Sequence, residues 1–241
     1  MSKILDRWEV MPHGVLEQID DGLLTIAGDV PMPLGNFPRR MTVVGLTGHR
    51  TAIFSAIALD RPEMERIEAL GTPSVLIVPG DAHRLDARIW KQRYPAIKVL
   101  APPGAEERVE EAVAVDSTHD IIGDPSVDYI IVAGVEEHEA ALMVRRASGS
   151  TLIVNDIIGN VAHPHGIGAH VMARLFGFGV SAPQIPRPVK RKIIRDPKAL
   201  ATQFREWAAE ATLKRIIVSH GDPIEKDVKS VLIALAETLE D

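Results

Sequence analysis

Three apolar runs in this chain of 241 residues stop on polar turns that carry acid–base or metal-ligating side chains. Val75-Leu-Ile-Val78 runs into Pro79-Gly80 and presents Asp81 and His83; Leu152-Ile-Val154 ends on Asn155-Asp156; Ile216-Ile-Val218 ends on Ser219-His220-Gly221. Short runs of Ile, Val and Leu read as strands buried on both faces, and sheets made of such strands take their ligands at the edge where the strands stop. A single carboxylate or imidazole at a strand end is ordinarily a capping or turn residue. Three such ends in one chain point to a shared site.

Composition narrows the chemistry of that site. The chain has no cysteine, which excludes disulfides, thiolate catalysis and cysteine-ligated zinc and leaves His, Asp and Glu as ligands. A net charge of -6 and a pI near 5.9 argue against a nucleic-acid or anionic-membrane binder, because counterion release needs a concentrated basic surface. The exception is Arg187-Pro-Val-Lys-Arg-Lys192, with Arg195 beyond it. It reads first as a solvated loop punctuated by proline and second as an anion or partner site. A hydrophobic content of 46% supports a substantial core, and one domain over 1–241 is expected. The early charges of Met1 to Trp8, and the lack of any run near the roughly 20 apolar residues of a membrane span, set a cytoplasmic protein as the expectation.

Along the chain, Leu23–Ile26, Met41–Leu46 and Ala52–Ile57 form β-type runs split by Gly, Pro and a turn at Gly48, an antiparallel meander. From Pro62 the texture alternates: a helix to Leu70 stopped by Gly71, a strand at Val75–Val78, a helix over Asp86–Tyr94 ended by Pro95, a strand at Ile97–Leu100 and a helix over Ala105–Ala112. Strands follow at Tyr129–Val132, Ala140–Val144 and Thr151–Val154, the last two joined through Ser148-Gly-Ser150. Pro183 to Pro188 reads as loop, Pro197 to Leu213 as a helix, Ile216 to Val218 as a strand and Val228 to Leu239 as a helix. This order fits two mixed sheets facing each other with helices outside, an α+β arrangement in four αββα layers. No repeat of fixed period is present.

The layout resembles the metallo-β-lactamase superfamily over nearly the whole chain. The first meander, the turn at Val75 to Asp86, the hairpin ending in Asn155-Asp156 and the turn Ser219-His220-Gly221 carry the resemblance. It implies a four-layer sandwich with the active site along one edge between the sheets. Hydrolases of that superfamily carry a His-x-His-x-Asp-His motif in the first turn, a later Gly-His, a bridging aspartate and a late Gly-His-Gly. Asp156 matches the bridging aspartate and His220 the last histidine. The first motif departs: Pro79 and Asp81 stand at the first two histidines, His83 at the aspartate and Arg84 at the last histidine. Within Ala133-Gly-Val-Glu-Glu-His138, Val135 stands in the ligand place and His138 is a reserve. Trp90-x-x-x-Tyr94-Pro95 followed by Val99-Leu-Ala-Pro-Pro103 is similar to a branch without the full histidine motif. The metal site is thus degenerate.

A dinuclear centre needs roughly five or more N/O ligands, which this set does not supply. A single zinc, or iron or manganese, on His83, Asp156 and His220, with Asp81 as fourth ligand or supporting group, is chemically reasonable. That reading makes Asp81, His83, Asp156 and His220 catalytic, gives Arg84 and His138 to the substrate, and implies metal-assisted hydrolysis of a small ester, amide or phosphoester. Arg84 weighs against it, since a cation beside the ligands opposes a divalent ion, although it could orient an anionic substrate. The alternative is a silent member of the fold with no metal, its Asp and His side chains paired with one another, that binds a small ligand or self-associates as a homo-oligomer. Phe176-Gly-Phe178-Gly-Val180 could line such a pocket, though plain packing is the simpler use. His163 and His165 flank Pro164 with no acidic residue near and read as a surface or lid loop; His13, His49 and His119 have no ligand spacing. No glycine-rich phosphate loop and no Gly-x-Ser-x-Gly elbow is present.

Overall fold

Strands that are apolar on both faces need cover on both sides. The structure, a computed structural model that describes residues 4–31, 36–161, 174 and 177–240, supplies that cover by stacking two sheets between two layers of helices. The first sheet has six strands in sequence order: β1 (Glu17–Asp20), β2 (Leu23–Val30), β3 (Phe37–Leu46), β4 (Arg50–Phe54), β5 (Thr72–Ile77) and β6 (Lys98–Leu100). β1 to β4 pair antiparallel, as the predicted meander requires, and β4 to β6 pair parallel. The second sheet runs β10 (Leu213–Gly221), β9 (Gly149–Asn160), β8 (Ala140–Arg146), β7 (Val127–Ile131), with β10 parallel to β9 and the rest antiparallel. The four-layer α+β architecture expected from the order of elements is the one observed.

The two-residue period of a strand assigns each apolar side chain to a layer. In β5, Val75 and Ile77 face the second sheet and Leu76 faces the helices; in β9, Ile153 faces inward while Leu152 and Val154 face outward. The inner layer joins Val44, Ala52, Phe54, Val75 and Ile77 to Val127, Leu142, Val144, Ile153 and Ile217. Outside the first sheet lie α1 (Arg61–Leu70), α2 (Ala87–Arg93) and α3 (Glu106–Glu110), which bury Met64, Ile67, Ile89, Trp90 and Val109. Outside the second lie α4 (Arg187–Lys192), α5 (Pro197–Ala209) and α6 (Val228–Glu237), which bury Val189, Leu200, Phe204, Leu232 and Leu235. Each fully buried Val, Leu, Ile or Phe contributes roughly 1.5–3 kcal/mol, so the three layers hold the strand ends in fixed relation. No helix among the described residues is long and apolar enough to cross a membrane.

Three sequence expectations are corrected. The basic stretch Arg187 to Lys192 is helical: Pro186 precedes the helix and Pro188 sits in its first turn, where a missing N–H costs nothing. The helix begun at Pro197 stops at Ala209 rather than Leu213, because Glu210 takes an extended ψ of 115° and the chain enters β10. β9 does not stop at Asp156 but continues to Asn160. Its pairing with β10 runs to Val218↔Val154 and resumes at His220↔Gly159, so Asn155–Ile158 lies opposite Ser219 alone. This bulge carries Asp156 out of the ladder, the usual effect of extra residues in one strand.

Candidate metal centre

The three predicted strand ends meet at one edge of the sandwich. His83 lies in the turn after β5, Asp156 on the bulge of β9 and His220 near the end of β10. Asp156 Oδ1 is 2.8 Å from His220 Nε2 and 3.2 Å from His83 Nε2. One ligand atom from each of the three falls within 4.8 Å of the others, the group among the described residues that could hold a metal ion.

Both imidazoles are held from behind. His220 Nδ1 lies 2.7 Å from the carbonyl oxygen of Pro38, which can only accept, so this nitrogen donates. His83 Nδ1 lies 2.7 Å from Ser55 Oγ. Ser55 follows β4 with a left-handed φ of 56°, unusual for a residue with a side chain. Phe37 closes over His220 with ring centroids 4.6 Å apart, and the two imidazoles lie 5.0 Å apart. A histidine whose rear nitrogen is fixed by a carbonyl or hydroxyl presents its other nitrogen in one direction, the arrangement that supports metal ligands.

Charge at the junction follows from these contacts. Burial pushes the His83 pKa down, against the pull of Asp156, so a neutral ring is favoured. Burial alone would raise the Asp156 pKa; the two imidazoles outweigh it and hold the carboxyl well below the usual range. Behind Asp156, Glu139 is buried and accepts the Asp156 backbone N–H at 3.1 Å. Burial first, and the Asp156 charge second, push the Glu139 pKa well up, which favours the protonated acid. Gly80 is needed for this packing, since a Cβ there would lie 2.8 Å from Glu139 Oε1 and 2.9 Å from Asn155 Nδ2.

The other expected site residues are placed differently. Asp81 lines the cleft but stands outside the trio, paired with His138 Nδ1 at 3.2 Å, both side chains partly exposed. His138 follows Glu136 and Glu137, which have φ of 48° and 59°. Arg84 does not line the cleft: its guanidinium donates to Arg108 O at 2.8 Å and pairs with Glu111 at 2.9 Å, so the expected role in orienting substrate is not one its position serves. The cation beside the site is Arg39, whose charge helps depress the His83 pKa and which pairs with buried Asp86. His163, His165 and Phe176 lie outside the described residues. His13 is turned to Asp60 at 3.5 Å.

The strand start Phe37-Pro38-Arg39-Arg40 went unread in the sequence, yet every one of its residues serves the site. Phe37 packs on His220, Pro38 fixes its ring, Arg39 lines the cleft, and Arg40 Nε donates to Gly221 O at 2.9 Å. Two adjacent arginines at the head of an apolar strand, both buried, are a signal, because charged side chains enter a core only with partners. The cleft has a volume of about 520 Å³, with Phe37, Phe178, Leu85, Val189 and Ile193 on its walls and His83, Asp156 and His220 on its floor.

No protein-family model and no curated protein sequence matches the chain. Solved structures do. The metallo-β-lactamase DIM-1 superposes with a TM-score of 0.62 at 12% identity, covering 95% of this chain and 99% of its own. FIM-1 from Pseudomonas aeruginosa, in its mono-zinc form, gives 0.59 at 14% identity over 95% and 96%. The metallo-β-lactamase from Pontibacter korlensis gives 0.61 at 11% over 92% and 98%. At such identities the likeness is one of fold. Two mixed sheets between helix layers, with the His83, Asp156 and His220 cluster at their shared edge, give this chain the metallo-β-lactamase superfamily fold.

Proposed function

We propose that His83, Asp156 and His220 hold one divalent metal ion, zinc or else iron or manganese, and that the cleft hydrolyses a small ester, amide or phosphoester. One observation carries this reading. His220 Nδ1 must donate to Pro38 O, so a neutral ring turns the Nε2 lone pair toward Asp156 Oδ1 at 2.8 Å, acceptor against acceptor. That junction requires a proton or a metal cation between the two atoms. Two imidazole nitrogens and a carboxylate oxygen are a sound donor set for such an ion.

A bound ion of this kind supplies Lewis acidity and a water acidified toward neutral pH. The chain's own residues do the rest. Ser55 and Pro38 fix which nitrogen of each imidazole faces Asp156, and Glu139 fixes the Asp156 backbone through its N–H. Phe37 and Phe178, in edge contact with centroids 5.1 Å apart, shield the floor from water. Asp81, on the cleft wall, is held in place by His138 at 3.2 Å.

The second reading is a ligand-binding protein without metal or catalysis. It is favoured by the same trio satisfying itself through a proton shared between His220 and Asp156. Metal analysis by plasma mass spectrometry of tag-free protein purified without chelator separates the two. About one ion per chain, lost in Asp156→Ala, supports the metal reading; no ion, and no uptake on adding zinc, manganese or ferrous iron, overturns it.

A further inference from the structure

Ser55 Oγ lies 2.7 Å from His83 Nδ1, and the other nitrogen of that ring, Nε2, lies 3.2 Å from Asp156 Oδ1. A carboxylate oxygen can only accept, so Nε2 donates to it. A ring carrying one proton then turns its Nδ1 lone pair to Ser55, whose hydroxyl donates. Hydroxyl, imidazole and carboxylate are thereby joined in the order of a serine relay, which is recognised by geometry and roles rather than by sequence position. The two ring nitrogens exchange their usual places in such a relay, and the path of the proton is unaffected.

The backbone presents Ser55 as a nucleophile rather than as a packing hydroxyl. It stands between β4 and α1 with a φ of 56°, and a strained turn from strand to helix is what holds the nucleophile of many serine hydrolases at a cleft. Ser55 is largely buried, yet it lines the cleft together with Ala56. The Ala56 N–H makes no hydrogen bond with a described residue. An amide directly after the nucleophile is one of the donors that stabilise the oxyanion of acyl transfer. Val30, Phe37 and Leu85 give the same part of the cleft apolar wall for an acyl group.

We propose that, with no ion on His83, Ser55 is the nucleophile of a metal-independent esterase that takes small carboxylic esters through an acyl-serine intermediate. His83 Nδ1 takes the Ser55 proton as Oγ attacks the ester carbonyl carbon, and the carbonyl electron pair moves onto oxygen beside the Ala56 N–H. Collapse of that intermediate breaks the bond to the leaving alkoxide, which takes the proton from Nδ1. Water then repeats the sequence: Nδ1 accepts its proton, the hydroxide attacks the acyl carbon, and Ser55 Oγ leaves with the proton as the carboxylic acid is released. Asp156 holds the ring in the required tautomer throughout. This activity goes beyond the metal reading and does not rest on it. Supporting a metal ligand and activating a nucleophile are alternative uses of one Ser55–His83 contact.

Active-site labelling of the full chain tests it, with a fluorophosphonate and p-nitrophenyl acetate as probes, in chelated protein and again after zinc addition. In chelated protein one phosphonyl group per chain is expected on Ser55, mapped by tandem mass spectrometry, and hydrolysis of the acetate is lost in Ser55→Ala. His83→Ala slows the labelling at least about a hundredfold. Because the chain has no cysteine, Ser55→Cys introduces a single thiol at the same place. Iodoacetamide should alkylate it about tenfold faster than it does when His83→Ala is added. Matching melting curves show that the variants fold, and the label mapped on the wild type needs no variant. Absence of label from Ser55, or equally fast labelling in His83→Ala, overturns the proposal. Undiminished labelling of zinc-loaded protein overturns it too, because an ion on Nε2 leaves the ring proton on Nδ1 and no base for Ser55. Zinc content of the same samples keeps the two readings apart: label on Ser55 without zinc uptake refutes the metal centre alone, and zinc uptake without label in the chelated state refutes the nucleophile alone.

Discussion

Ser55 places its hydroxyl 2.7 Å from His83 Nδ1 while its own backbone is held at a φ of 56°. A left-handed conformation outside glycine costs of order 1–3 kcal/mol and persists where the surroundings impose it. Here the Ser55 N–H is bonded to Ile77 O at 3.1 Å, which ties the turn after β4 to the end of β5. Ser55→Ala keeps the conformation and loses the hydroxyl; Ser55→Gly loses the hydroxyl and relaxes the backbone. Both are expected to weaken zinc binding about tenfold in competition with a chromophoric chelator. In chelated protein the Gly variant should be more stable than the Ala variant by about 1 kcal/mol in urea unfolding. An Ala variant of equal or greater stability would show that the turn is not strained.

His220→Ala and Asp156→Ala are each expected to abolish stoichiometric metal and the zinc-dependent rise in melting temperature. In the wild type that rise corresponds to about 2.7 kcal/mol at a free zinc concentration a hundredfold above Kd. A variant that melts with the same zinc dependence as the wild type argues against this ligand set.

Glu139 is held as an acid by burial and by the Asp156 charge, and accepts one backbone N–H. Glu139→Gln preserves that acceptor and the volume, and is expected to change stability by less than about 1 kcal/mol. Glu139→Ala leaves the Asp156 N–H unsatisfied beside a cavity and should lose about 2–4 kcal/mol. Equilibrium urea unfolding of both variants reads the difference.

Arg39 and Asp86 form a buried ion pair, and Asp86 Oδ1 also accepts the Ala58 N–H at 2.9 Å. Arg39→Met strands a buried carboxylate and should lose about 3–5 kcal/mol. Adding Asp86→Asn should recover part of that loss, which a double-mutant cycle measures as a coupling energy.

Asp124 accepts the Thr47 N–H at 2.6 Å and both the N–H and hydroxyl of Ser126. Burial opposes its ionisation, but these bonds outweigh it and lower its pKa to about 2. A depressed carboxyl contributes stability that is complete above its unfolded pKa of about 4 and fades as pH falls through about 2. Asp124→Asn should therefore cost about 1 kcal/mol at neutral pH and progressively less as pH falls from about 4 through about 2. Melting curves across that window decide it.

The layered fold was legible because strands covered on both faces write themselves as unbroken Ile, Val and Leu runs, and Val75–Val78, Leu152–Val154 and Ile216–Val218 are such runs. The structure brings His83, Asp156 and His220 together where those runs end. What supports them was hidden for physical reasons. Pro38 acts through its backbone carbonyl, Ser55 is one small residue in an apolar stretch, and Glu139 closes the run Glu136-Glu137-His138-Glu139, which reads as solvated. Arg84 was misplaced because the turn after β5 sends it to the carbonyl of Arg108 and to Glu111, a direction set by α3 packing rather than by sequence spacing.

The contacts around His220 and Gly80 also cross the seam between the halves of the sandwich. Pro38 and Arg40 from the first sheet grip His220 and Gly221 of the second, and Pro79 O accepts the Ala140 N–H at 2.9 Å. Any ligand that joins His83 to Asp156 therefore acts as a rivet through both sheets. Sliding of one sheet against the other would pull His220 from its support at Pro38 and part His83 from Asp156 at once, so the chemistry of this edge and the mechanical integrity of the sandwich fail together.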